Sequence, residues 1–150
     1  MKNLLLSIRF GLVTGAVLIS YFLVLSLFDK HSNPVFSLLN APITLLGIYE
    51  VIKISKLRFP ESFTYTEGFK SGVVTGGVAT ILFTLFFLLY STEITPEYLP
   101  ALFEKMHWGL KLHVGLIVFI VAIMGFSTSV VSSLTVMQLF KTSNNYAESV

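Results

Sequence analysis

Four apolar runs, each near the length needed to cross a bilayer, constrain this chain more than any other feature of it. A hydrocarbon core about 30 Å thick takes roughly 20 helical residues. Every backbone amide inside that core must be paired within the protein, which makes helices the spanning form for runs of this length. The runs fall at residues 10–28, 35–54, 68–90 and 112–140. A water-soluble domain with 54% hydrophobic and 12% charged residues would lack the polar side chains to cover its surface. The predicted fold is an all-α membrane protein, a single domain over residues 1–150 with four transmembrane helices.

Each run carries its own instructions. The first has no charge and follows Lys2 and Arg9, as a signal peptide would, but it is too long for one, and Asp29-Lys30-His31 stands where small residues would mark cleavage. It is expected to stay as an anchor. Asn40, Pro42 and Glu50 interrupt the second run, which predicts a kinked span packed inside the bundle. Thr64-Tyr65-Thr66-Glu67 ahead of the third has the pattern of a capping box, so that helix is expected to start near Thr64. The fourth exceeds what the bilayer needs and is expected to tilt or protrude at its C-terminal end, followed by a tail at 141–150. Between the third and fourth runs, Thr95 can cap a helix whose first residue is Pro96. Tyr98, Leu99, Leu102, Phe103 and Met106 then form one apolar stripe. This predicts a short interfacial helix over 95–107, with Trp108 anchored near the headgroups.

Orientation follows from the basic residues. Lys2, Arg9, Lys53, Lys56, Arg58, Lys70 and Lys141 fall on one side of the four runs, and Lys30, Lys105 and Lys111 on the other. Short loops rich in Lys and Arg stay in the cytoplasm, so both termini are expected there. Arg9 and Lys70, each beside that interface, read as headgroup anchors rather than ligand-binding groups.

The first and third runs look like copies. Arg9, Gly11, Thr14, Gly15 and Val17 align without a gap on Lys70, Gly72, Thr75, Gly76 and Val78. The fold then reads as a tandem repeat of two helical hairpins related by an axis along the membrane normal. Gly11 and Gly15, Gly68, Gly72 and Gly76, and Gly125, Ser129 and Ser133 all recur at four-residue steps. Small residues so spaced share a helix face and let another backbone come close. These faces are expected to meet inside the bundle, with homodimerisation as the rival use.

Glu50 is the one acidic residue inside a run, which makes it a candidate proton or ion site. The competing reading is an interfacial carboxylate paired with Lys53, Arg9 or Lys70. Ser127, Thr128, Ser129, Ser132, Ser133, Thr135 and Gln138 could line a polar path, although helical hydroxyls usually bond the carbonyl four residues back. Glu104 and His107 have a metal-bundle spacing, but one copy is insufficient, and no metal or cofactor is expected even with His31 and His113 counted. There is no cysteine, phosphate loop, zinc-protease motif or nucleophile elbow, so catalytic residues are not expected and the chain does not read as an enzyme.

The stretch from Phe63 through Thr64, Tyr65, Thr66, Glu67, Gly68, Phe69, Lys70 and Ser71 to Gly72, leading into a glycine-rich span and then Ile94-Thr95-Pro96-Glu97-Tyr98, resembles the DUF4199 family of small bacterial membrane proteins, found mainly in Bacteroidetes. The likeness extends to the four-span layout. It implies a bacterial cytoplasmic (inner) membrane, and it carries over no catalytic residues, because the family has no assigned function. The expected role is a non-enzymatic scaffold or accessory subunit, in contact with the lipid bilayer and with further copies or other membrane proteins, and not with nucleic acid. The alternative is a small oligomeric transporter or channel using Glu50 and the hydroxyls of the fourth run.

Overall fold

The computed structural model describes residues 2–28, 30, 33–105 and 113–140, and no strand occurs among them. Four stretches are long and apolar enough to cross a membrane: Leu4–Leu27, Val35–Arg58, Tyr65–Ile94 and Val114–Leu139. Trp108, His31, His107, Met106 and the tail at 141–150 lie outside the described residues.

Helix α1 (Lys2–Leu27) begins well before residue 10, because Leu4, Leu5, Leu6 and Ile8 extend its apolar surface past the exposed Arg9. The second span is broken in two. A single turn, α2 (Pro34–Ser37), is capped by Asn33, whose side chain accepts from Val35 N at 3.0 Å. The long helix α3 (Asn40–Arg58) follows. The chain turns at Leu38 and Leu39, ahead of Pro42 and not at it. Pro42 is the third residue of α3, in the first turn, where its missing N–H has no helical acceptor to lose.

A short 3₁₀ turn (Pro60–Ser62) leads to α4 (Tyr65–Leu89). Thr64 caps this helix by accepting from Glu67 N at 3.2 Å. Only half of the capping box forms, since the Glu67 carboxylate turns to Lys70 Nζ at 3.4 Å. At its far end α4 widens into a π turn (Tyr90–Ile94), closed by Thr95 N donating to Tyr90 O at 2.8 Å. The helix expected at the interface, α5 (Tyr98–Lys105), starts later than predicted. Thr95 serves it through its carbonyl, which accepts from Tyr98 N at 3.0 Å, and not through a side-chain cap. Pro96 and Glu97 form the turn, and Pro100 takes the third helical position, where proline is tolerated. His113 caps α6 (Val114–Leu139), its Nδ1 accepting from Gly115 N at 3.2 Å.

Helix α4 is the hub. It packs against α1, α3 and α6, α3 also touches α1 and α6, and the latter two flank this central pair. Gly11 sits on Thr75 and Val78 and Gly15 on Ala79 and Leu82, so α1 runs parallel to α4. Gly68 meets Met137, Gly72 meets Ser133, Gly76 meets Ser129 and Gly125 meets Thr80, so α6 runs antiparallel to it. Gly47 of α3 rests on Thr14. The starts of α1 and α4 and the ends of α3 and α6 thus share one end of the bundle, the basic end, with Arg9, Lys53, Lys56, Arg58 and Lys70.

The sequence repeat does not carry into the packing. Gly11 and Gly15 pack on α4, whereas their counterparts Gly72 and Gly76 pack on the serines of α6. An axis along the membrane normal would need α1 to meet α6 as α4 meets α3, and those two pairs are not alike. The copies share a pattern that permits close approach, and each takes a different neighbour.

These contacts leave little room. A Cβ built on Gly11 would lie 2.6 Å from Val78 Cβ and 2.7 Å from the Thr75 carbonyl oxygen, whereas one on Gly115 would meet only His113 at 3.4 Å. Gly11→Ala is expected to cost about 1–3 kcal/mol through overpacking. Gly115→Ala should leave stability unchanged, and thermal unfolding of the two variants in mild detergent provides the comparison.

Candidate functional site

The interior between the two aromatic and aliphatic ends is built from small side chains. Ser7, Thr75, Ser129 and Ser133 are essentially inaccessible, as are the glycines they face. Thr75 Oγ1 donates across the α1–α4 contact to Ser7 O at 3.1 Å. On α6 the hydroxyls turn back on their own helix. Thr128 donates to Met124 O (2.8 Å), Ser129 to Gly125 O (2.8 Å), Ser133 to Ser129 O (2.7 Å) and Thr135 to Val131 O (2.9 Å). Ser132 is buried, while Ser127 and Gln138 face outward. Ser55 Oγ and Thr84 Oγ1 are buried and find no hydrogen-bond partner among the described residues.

Glu50 lies outside this interior. Its Oε1 is 3.5 Å from Lys53 Nζ, and both side chains are about half exposed, at 46% and 45%. A pair so open contributes little to stability. Of the three cations named as partners for Glu50, the structure brings only Lys53 to it, since Lys70 pairs with Glu67 and Arg9 points outward. At the same end, Tyr49 and Phe140 lie 5.7 Å apart between centroids. Lys53 Nζ sits 5.7 Å over Tyr49 and Lys56 Nζ 5.5 Å over Phe140.

The opposite end is closed by rings. Phe22 makes edge-to-face contacts with Phe83, Phe86, Phe87, Tyr90 and Tyr98, the nearest at 4.9 Å to Tyr90. Ser26 Oγ and Tyr90 OH are hydrogen-bonded at 2.7 Å. Tyr98 and Leu99 of α5 are buried in this cluster, so this part of the helix spends its apolar side on the bundle and not on the headgroup layer. Burial, reinforced by Tyr90, pushes the Tyr98 phenol from 10.0 up to about 12. The sequence held one readable sign of the cluster, the spacing of Phe83, Phe86, Phe87 and Tyr90 along one face of α4. Nothing marked Phe22 or Tyr98 as their partners.

A groove of about 640 Å³ opens on the lipid-facing side between α3 and α6, lined by Ala41, Pro42, Leu45, Leu46, Thr128, Val131, Ser132 and Thr135. Among the described residues, no three His, Asp or Glu side chains converge as a metal site would require, and His113 is engaged as a helix cap.

Four apolar helices around a small-residue interior, with one end aromatic and the other basic, define a multi-pass helical membrane protein. The chain belongs to the DUF4199 family, described as a protein of unknown function, whose model matches residues 9–141. Neither the comparison with curated proteins nor that with solved structures gives a match.

The raised phenol has a measurable consequence. A group whose folded-state pKa exceeds its unfolded value keeps its stabilising contribution below pH 10.0 and loses it as pH rises through about 12. In an alkaline titration of tyrosinate absorbance, one tyrosine is expected to ionise only near pH 12, and Tyr98→Phe should abolish that late step.

Proposed function

We propose that this protein is a non-enzymatic scaffold or accessory subunit of a bacterial cytoplasmic membrane, with both termini inside, and that it acts by associating with itself or with other membrane proteins. The carrying observation is the interior: glycine and serine faces fill it, and the hydroxyls of Ser129 and Ser133 are consumed by carbonyls of their own helix. A solute path needs polar groups turned toward a lumen, and those of Ser129 and Ser133 are turned onto their own helix. The aromatic cluster around Phe22 supports the same reading by closing the end opposite the lysines. Glu50, paired with Lys53 at the edge, stands apart from the small-residue core that a conduit would have to cross.

The test is native mass spectrometry of the protein extracted gently from its own membranes, run beside flux assays in proteoliposomes. Stoichiometric association with another membrane protein or a second copy, with no solute flux and no effect of Glu50→Gln, is expected. A solitary chain carrying a flux that Glu50→Gln abolishes would replace this reading with the transporter or channel.

A further inference from the structure

The face of α3 that lines the groove continues to the basic end of the bundle. On α3, Tyr49, Lys53 and Lys56 follow Pro42, Leu45 and Leu46 at three- and four-residue steps, so the apolar groove and the two lysines occupy one continuous face. The Tyr49–Phe140 ring pair lies between the groove and the basic end, and each ammonium group sits less than 6 Å from a ring centroid. Among the described residues no carboxylate pairs with Lys56, and Lys53 has only the long, half-exposed contact to Glu50. Two cations with charge to spare therefore stand on the α3 face that carries the groove, about two turns beyond Leu46, its last lining residue on that helix.

We infer that this seam is a binding site for an anionic phospholipid, whose phosphate lies between Lys53 and Lys56 and whose acyl chain runs up the groove past Thr135 and Val131 toward Pro42. Of the three hydroxyls lining the groove, Thr128 and Thr135 already bond their own helix and only Ser132 is left, which suits an acyl chain and disfavours a polar solute. A second protein helix could cover the apolar part, but it would leave both lysines unused; a phosphate engages them. This inference is independent of the scaffold reading and would stand for a transporter as well.

The test is native mass spectrometry of the full chain after detergent exchange in equimolar phosphatidylglycerol and phosphatidylcholine. The wild type is expected to retain one phosphatidylglycerol in preference to phosphatidylcholine. Lys53→Gln and Lys56→Gln should each lower that retention about fivefold, the worth of a basic residue near an anionic surface. Thr135→Phe, which fills the groove from an exposed position, should lower retention of both lipids, and Arg58→Gln should change nothing. Equal retention of the two lipids by the wild type would overturn the inference. So would an equal loss in Arg58→Gln, or a dimer that occupies the groove and carries no lipid. Unchanged thermal midpoints in the lysine variants separate lost binding from lost folding.

Discussion

Helices in lipid gain little from burying apolar side chains against one another, because lipid tails supply the same contacts; what holds them together is how closely their backbones approach. In this protein the approach is set by α4. One side of it receives Gly11 and Gly15 of α1, and another presents Gly68, Gly72 and Gly76 to α6, with Ile48 of α3 also reaching Gly72 and Gly76.

Close approach also decides the chemistry of the interior. On α6 the hydroxyls of Thr128, Ser129, Ser133 and Thr135 find acceptors one turn back on their own helix, while Ser55 of α3 and Thr84 of α4 stay buried without a partner among the described residues. The ends are finished differently. Rings gather around Phe22 at one end, while the other carries lysines over aromatic faces, where long side chains reach water from an apolar stem. Tyr98 joins α5 to the ring cluster.

Much of the fold was legible in the sequence, because the bilayer punishes any unpaired backbone group and so writes span length directly into hydropathy. The Thr64 cap and the Glu50–Lys53 pair were legible too, since both depend on spacing within one helix. What depended on a second element was not. The four-residue glycine pattern states that something comes close and is silent about what, which is why Gly11 and Gly72, matched in sequence, meet different helices. Pro42 signalled a bend, but its position was set by where α3 could restart, at Asn40, with the proline inside the first turn. After the π turn that follows Leu89, α5 begins two residues beyond the Pro96 start that Thr95 suggested. The groove was invisible because its two walls lie on α3 and α6, more than 80 residues apart in the chain.

The central claim is that the small-residue interior is dry and closed, and the chain's lack of native cysteine makes a direct measurement simple. Single Ser129→Cys and Ser133→Cys variants, close to isosteric, would be exposed in native membranes to a charged, water-soluble thiol reagent beside an exposed Thr92→Cys control. The account predicts that Thr92→Cys is modified and both interior cysteines are not. Rapid modification of Ser129→Cys and Ser133→Cys would mean that water reaches the face of α4, and would contradict it.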